Sequence, residues 1–233
     1  VSQYLIFNAD DFGYARGVNR GIIAAHVQGV VLSTSLMVDM PLAAEAAALA
    51  KEYPGLSVGL HFVVTNQKGP LVDLFDVAAI ERELSRQYQR CCDLLRHPPT
   101  HLDSHYHVHL RQELKPLFVA WAEEYQLPVR GLGMIHYNGG FYGQGYDEEW
   151  RPYPLPEIVS VENLEKILRT LPDGVTELAC HPAYRSPDLN SSYAAEREIE
   201  LATLLDPRVL TLIRELDIKL INFAMLSNLP EVL

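Results

Sequence analysis

The chain has 233 residues, 48% of them hydrophobic and 21% charged, which fits one large α/β domain over 1–233 and excludes a disordered chain. Asp and Glu outnumber Lys and Arg by 30 to 19, for a formal net charge of −11, so neither nucleic acid nor an anionic membrane is an expected partner. No apolar run approaches the ~20 residues of a membrane span, "VSQYLIF" does not read as a signal peptide, and Cys91, Cys92 and Cys180 make no disulfide framework; a reducing cytoplasm is the expected compartment.

Residues 4–9 (YLIFNA) predict a first strand, and 17–29 a helix with Val18, Ile22 and Ala25 on one face. A second strand is expected over 30–38, an Ala-rich helix with Pro41 in its first turn over 41–53, and a third strand over 56–64. A long helix (76–95) leads to a fourth strand (99–105), a helix (111–125) and a weaker fifth strand (128–134). The helix expected over 160–171 opens on Ser160 and Asn163, a weakened capping box. A sixth strand (175–181), helices over 193–205 and 207–216, and a seventh strand (219–226) complete the chain.

Strand followed by helix, repeated about seven times without a linker, predicts a parallel sheet covered on both faces. That leaves a (β/α) barrel, seven-stranded or a distorted TIM-like one, or a doubly wound open sheet. In both, ligands bind beyond the carboxyl ends of the strands. Those ends carry Asp10 and Asp11, then His61, then "HLDSHYHVH" with His101, Asp103, His105, His107 and His109, and finally His181.

Strand alternation puts His101, Asp103 and His105 on one face. So many ionisable groups are hard to bury unless something binds them, and a divalent metal held by imidazoles and a carboxylate does so. The adjacent aspartates would point apart along a regular strand, but both can reach the mouth where the strand turns. One can hold the metal while the other stays off it as a base. One Asp and two His with open positions form a hydrolytic arrangement, in which a metal activates water and polarises a carbonyl. Asp10 is placed to take the proton, and His181 to protonate a leaving amine or alcohol. There is no G-x-S-x-G elbow, Walker loop or G-x-G-x-x-G.

The Gly-rich segment 137–153 carries Tyr137, Phe141, Tyr142, Tyr146, Trp150 and Tyr153 on the same rim. These suit stacking on a sugar, a lid, or packing beneath the loop. Tyr106 and Tyr184 flank the histidine segments as further pocket candidates.

The motifs "NADDFG", "GVNRGI", "VGLHFVVT", "PTHLDSHYHVH", "ELACHPAY" and "REIEL", in this order over nearly the whole chain, resemble the YdjC-like carbohydrate deacetylases. The resemblance implies a barrel related to polysaccharide deacetylases and removal of an acetyl group from an N-acetylated amino sugar. It implies Asp11, His61 and His105 as metal ligands, with Asp10 as base. It implies Mg²⁺, although two imidazoles suit Zn²⁺ better on ligand softness. The stretch between Gly69 and Asp76 is shorter than in many relatives, which would open the pocket. The expected site thus has Asp10 and His181 as catalytic groups, and Asp11, His61 and His105 on the metal. Asp103, Tyr106, His107, Tyr142, Trp150 and Tyr184 face a small carbohydrate substrate. Alternatives are a sugar-binding protein without turnover, or a glycosidase using Asp10 and Asp103. A homodimer is compatible with the sequence.

Overall fold

Seven parallel strands carry the architecture of the computed structural model, which describes residues 2–229. In chain order the elements are β1 (Gln3–Phe12), α1 (Arg16–Gln28), β2 (Ser33–Leu36), α2 (Ala43–Glu52) and β3 (Ser57–Phe62). A small hairpin of β4 (Thr65–Asn66) and β5 (Gly69–Pro70) precedes α3 (Val77–Leu95) and β6 (Leu102–Ser104). A 3₁₀ segment, His105–Leu110, leads to α4 (Lys115–Tyr125), β7 (His136–Asn138) and a second hairpin, β8 (Gln144–Tyr146) and β9 (Pro152–Pro154). Then come α5 (Val161–Arg169), β10 (Gly174–Cys180), α6 (Ala194–Leu205), α7 (Pro207–Glu215) and β11 (Lys219–Leu220).

The sheet order is β6-β3-β2-β1-β10-β7. The strand β1 has two partners along one edge: β11 at Tyr4 and Leu5, then β2 from Asn8 to Phe12. Beyond β6 the sheet gains one parallel bridge, Leu102 to Val129. Among the described residues no pairing joins that bridge to β7, so the sheet curls into a barrel open on one side. The doubly wound alternative is thereby dropped.

Helix termini follow the local chemistry of the sequence. Ser160 accepts the Asn163 N–H at 3.2 Å to start α5, as its spacing predicts. Asp76 caps α3 through the Ala79 N–H, and Asp206, followed by Pro207, caps α7. The helix α3 buries Ile80, Leu84, Gln87, Cys91 and Leu95, a stripe with the helical period. Among the described residues no helix is long and apolar enough to cross a membrane.

Three expectations shift. The strand expected over 128–134 is reduced to the bridge at Val129, because Gly131 and Gly133 take positive φ (66° and 78°) and break the extension; β7 forms later instead. The seventh strand ends at Leu220, and Phe223–Asn228 is a 3₁₀ turn capped by the Asn222 side chain. Pro41 lies in a turn before α2 rather than inside it.

Period-two alternation sorts each strand between two environments. Leu5, Phe7, Ala9, Val58, Leu60, Leu102 and Leu178 face outward and join the core made with Val18, Ile22, Ala46, Ile80 and Leu204 of the helices. The inward positions change character with height. At the amino ends Tyr4, Ile6 and Val175 pack with Ile221 and Phe223 in a small apolar plug. Further along β1 and β10 stand Asn8, Asp10 and Glu177, and on the neighbouring strands β2, β3 and β6 stand Ser35, His61 and Asp103, all buried. The inner face is therefore polar from mid-height.

Candidate metal centre and active site

Adjacent Asp10 and Asp11 both reach the barrel mouth because β1 is irregular there. Its register against β2 shifts between Ala9 and Phe12, and Asp11 sits at φ 69°. A bulge with one residue in the left-handed region turns a side chain that would face the helices back toward the interior. Asp tolerates that conformation better than most non-glycine residues.

Asp11 Oδ1, His61 and His105 converge on one point. The carboxylate oxygen lies 3.4 Å from His61 Nε2 and 3.6 Å from His105 Nδ1. Both Asp11 Oδ1 and His61 Nε2 are buried and have no hydrogen-bond partner. Two of these three candidate ligands are oriented from behind. His61 Nδ1 lies 2.6 Å from Asp103 Oδ1, which turns Nε2 toward the centre. Asp11 Oδ2 accepts a hydrogen bond from Arg197 Nη2. Burial lowers His105 to about 4, leaving a neutral imidazole. Burial also disfavours a charged His61, but Asp103 outweighs it and lifts His61 to about 9. Against its own burial, Asp11 is held well below the usual carboxylate range, chiefly by Arg197.

Arg130, fully buried, ties the inner wall together. Its Nη1 and Nη2 donate to the two oxygens of Asp10, both at 2.7 Å. Its Nη2 also lies 2.9 Å from Asp103 Oδ2, and its Nε donates to Glu177 Oε1 at 2.7 Å. Burial alone would raise the Asp10 carboxyl, but this fork holds it well below its ordinary value and keeps it ionised. Burial lifts Glu177 to about 7 despite Arg130. Asp10, Asp11, Asp103, Glu177 and Glu200 are thus buried around two guanidinium groups, Arg130 and Arg197. That excess of carboxylates, with two unpartnered donor atoms at its centre, is what a divalent cation would neutralise.

On the far side, His181 follows β10 with Nε2 3.8 Å from Asp10 Oδ2. Glu200 from α6 accepts the His181 backbone N–H, and its Oε1 lies 3.8 Å from His181 Nδ1. The same oxygen accepts the Tyr193 hydroxyl at 2.5 Å, and that hydroxyl accepts the Gly143 N–H at 2.6 Å. Tyr142 stacks on Tyr193, with ring centroids 4.4 Å apart, and meets His181 edge-on. Phe141 is fully buried. The inner part of the Gly-rich segment is therefore packed in place, and only its outer hairpin stands away from the body. A cleft of about 410 Å³ opens above these groups, and Asp10, Asp11, His61, His105, His107, Tyr106, Tyr142 and His181 all line it.

Asp103 does not face that cleft. It is fully buried, with its oxygens taken by His61, Asn8 and Arg130, and it orients the His61 imidazole from beneath. Tyr184 does not line the cleft either; Arg20 sits over its ring. Trp150 stands outside the mouth beside Tyr146. The remaining histidines separate cleanly. His107 Nε2 is 3.2 Å from the Tyr137 hydroxyl at the cleft wall. His109 is held between Ser104 Oγ and the Arg130 carbonyl. His101 lies lower, stacked 3.8 Å from Phe223 in a seat that exists because residue 59 is glycine: a Cβ there would meet the imidazole at 2.5 Å.

Arg130, Arg197, Glu177 and Glu200 escape the sequence reading. A signal exists for two of them: Arg197, Glu200, Leu201 and Leu204 share the buried stripe of α6, and charges on an apolar stripe ask for buried partners. Arg130 sits among the glycines of a segment too irregular to show a period.

The YdjC-like protein family model matches residues 4–215. A carbohydrate deacetylase of Geobacillus stearothermophilus is 36% identical across 96% of this chain and 98% of its own. A chitooligosaccharide deacetylase of Serratia marcescens is 34% identical across 92% and 96%. The alignment with the Geobacillus protein runs to 256 positions against the 233 residues here, so this chain lacks residues that the relative has. Among solved structures, an Enterococcus faecalis protein provisionally named for cellobiose-phosphate cleavage superposes with a TM-score of 0.78 at 27% identity, covering 97% of this chain and 99% of its own. A family 4 carbohydrate esterase from Streptomyces lividans shares the fold, with a TM-score of 0.57 at 15% identity over 94% and 91%. Motif order, matched length and identity agree: the chain belongs to the YdjC-like protein family.

Proposed function

We propose that this protein is a metal-dependent carbohydrate deacetylase that hydrolyses the acetyl amide of an N-acetylated amino sugar or oligosaccharide. The observation that carries the reading is the trio Asp11, His61 and His105, whose donor atoms lie within 4.8 Å of one another beside Asp10 and His181 in one cleft. The names of the curated relatives support the same chemistry.

Asp11 Oδ1, His61 Nε2 and His105 Nδ1 would hold the cation, and the local excess of buried carboxylates fits a divalent one. Mg²⁺ is the ion the family resemblance implies, and Zn²⁺ suits two imidazoles and a carboxylate better. Such an ion supplies two things at once, a water acidified toward a pKa of ~7 and a polarised acetyl carbonyl. Asp10 accepts the proton of the attacking water. Arg130 keeps that carboxylate ionised and fixes its plane, so it need not be a strong base. His181, 3.8 Å away, is placed to give a proton to the leaving amine. Met37, Val63, Phe141 and Ala179 add apolar wall to the cleft and exclude bulk water from the acetyl methyl.

A glycosidase built on Asp10 and Asp103 does not suit this geometry, because Asp103 is sealed beneath His61 and Arg130. The deciding experiment incubates metal-loaded protein with N-acetylated oligosaccharides and measures acetate and new reducing ends, with and without chelator. Acetate release that chelator abolishes supports the reading. Reducing ends point to a glycosidase, and binding without either product points to a sugar-binding protein. Asp10→Asn is expected to keep the metal and lose at least about a hundredfold in turnover.

A further inference from the structure

The hairpin β8–β9 carries a file of aromatic rings away from the reacting centre. Tyr142 lies edge-on to His181, with ring centroids 5.3 Å apart. The hydroxyls of Tyr142 and Tyr146 both reach Gln144 Oε1, at 3.5 and 3.4 Å. The Tyr146 ring is then 6.3 Å from Trp150. Tyr142 and Tyr146 line the cleft, while Trp150 stands beyond its mouth and is 81% exposed.

The hairpin turn is built to hold that indole in water. Asp147 Oδ1 accepts the backbone N–H groups of Glu149 and Arg151, its Oδ2 accepts Arg151 Nε, and its carbonyl accepts the Trp150 N–H at 3.0 Å. Trp150 itself sits at φ 59°, a left-handed conformation that costs a non-glycine residue ~1–2 kcal/mol. Asn or Gly would relieve the strain, and any polar residue would avoid exposing an indole. Among the described residues the Trp150 side chain has no hydrogen-bond partner, and its ring neighbour is Tyr146.

Charge narrows what could cover it. Among the described residues, the one Arg or Lys lining the cleft is Arg197, already paired with Asp11. Arg151, next to Trp150, is paired with Asp147 and Glu149. Neither arginine is left over for a phosphate or a carboxylate, and the remaining positive charge, His61, lies buried at the inner end of the cleft, away from Trp150. What remains is aromatic faces with the hydroxyls and amides of Ser191, Ser192, Asn66 and Gln67, a surface that suits the apolar faces and hydroxyl rims of uncharged sugar rings.

We infer that Tyr146 and Trp150 form a distal subsite that stacks a further, uncharged sugar ring of an oligosaccharide whose acetylated residue occupies the cleft. The substrate is then an oligosaccharide rather than a monosaccharide, and the ring held at Trp150 carries no charge. The position of the acetylated residue rests on the deacetylase reading; the stacking needs neither metal nor turnover.

The chain has two tryptophans, and the other, Trp121, is buried against Tyr125. Surface-sensitive changes in indole emission therefore report Trp150. The test titrates the chelator-treated protein with N-acetylglucosamine and its β-1,4-linked dimer, trimer and tetramer, and with a hyaluronan tetrasaccharide as a carboxylated control. Saturable quenching by the oligomers and none by the monomer is expected. Trp150→Ala should abolish the signal and, by calorimetry, weaken trimer binding about tenfold, the scale of one stacked ring. Trp150→Phe should recover part of the affinity. An unchanged trimer affinity in Trp150→Ala, or equal binding of the hyaluronan fragment, overturns the inference. So does an emission that follows protein concentration and ignores sugar, which would make the indole a contact between copies. Stacking as expected without acetate release in the earlier assay would leave the subsite standing and sink the deacetylase reading.

Discussion

The two halves of the barrel interior share β1 and β10 and obey opposite rules. At the amino ends Tyr4, Ile6, Val175, Ile221 and Phe223 close the barrel with apolar surface alone. One turn of the pleat higher, Asn8, Asp10, His61, Asp103, Arg130 and Glu177 fill the same space with ionisable and amide groups. Apolar packing is local: each side chain gains roughly in proportion to the area it buries. Buried charge is collective, because every member depends on its partners and each orphan costs several kcal/mol. The lower half should therefore fail gradually and the upper half all at once, and substitutions at four positions test that contrast.

The largest effect is expected from Arg130→Met. It leaves Asp10, Asp103 and Glu177 facing one another without a cation, and breaking a buried pair from one side costs about 3–5 kcal/mol. Denaturant unfolding should show that loss, and deacetylation should collapse with it. Arg130→Lys restores charge but not the two-pronged contact with Asp10, so it should recover stability better than turnover. Equal stability of Arg130→Met and the parent would mean that the network is not coupled.

Phe223→Ala probes the lower half. Removing the ring from the plug should cost ~3–4 kcal/mol. The reacting groups stand above the plug, so turnover per folded molecule should hold. A parallel fall in turnover would show that the two halves are mechanically one.

Asp103→Asn is milder. Asparagine keeps the shape but not the charge behind His61 Nδ1, and losing such a partner weakens metal affinity by about ten- to a hundredfold. Competition with a chromophoric chelator measures it. Most turnover should return at saturating metal, which Asp11→Asn would not allow.

The same contrast explains what could be read from the sequence. Apolar packing leaves a local trace, period two in strands and 3.6 in helices, so all seven helices were legible to within a few residues of their ends. The proposed ligand trio was within reach of the sequence too: Asp11, His61 and His105 each stand in a compact motif at a strand end, and their donor atoms lie within 4.8 Å of one another. The partners of those groups were not. Arg130 is 120 positions from Asp10, and Arg197 is 186 from Asp11. A buried ion pair of that span leaves no periodic mark at either end. Asp103 misled for the opposite reason: its place in a polar motif suggests contact with substrate, whereas alternation places it one layer below His105, where only other side chains reach it. The strand expected over 128–134 failed where Gly131 and Gly133 turn the chain, and that turn delivers Arg130 to the interior.

The smallest effect concerns the border between the halves. His101 lies there, stacked on Phe223 beneath Asp103, and burial lowers it to about 3; His109, buried beside Ser104, is lowered to about 4. Unfolded, both imidazoles titrate near 6.5. As pH falls below that value the unfolded chain takes up protons that the folded chain refuses, so stability present at neutral pH drains away until the folded groups titrate. Each group adds a slope of about 1.4 kcal/mol per pH unit over that window. His101→Phe keeps a ring against Phe223, gives up the 3.0 Å contact between Nδ1 and Thr100 Oγ1, and removes the His101 slope while leaving those of His105 and His109. Urea unfolding of the metal-free protein between pH 6.5 and 4.5 should fall about 1.4 kcal/mol per unit less steeply in the variant. Parallel curves would mean that water or a proton reaches His101 Nε2, and that the apolar plug does not seal the polar half from below.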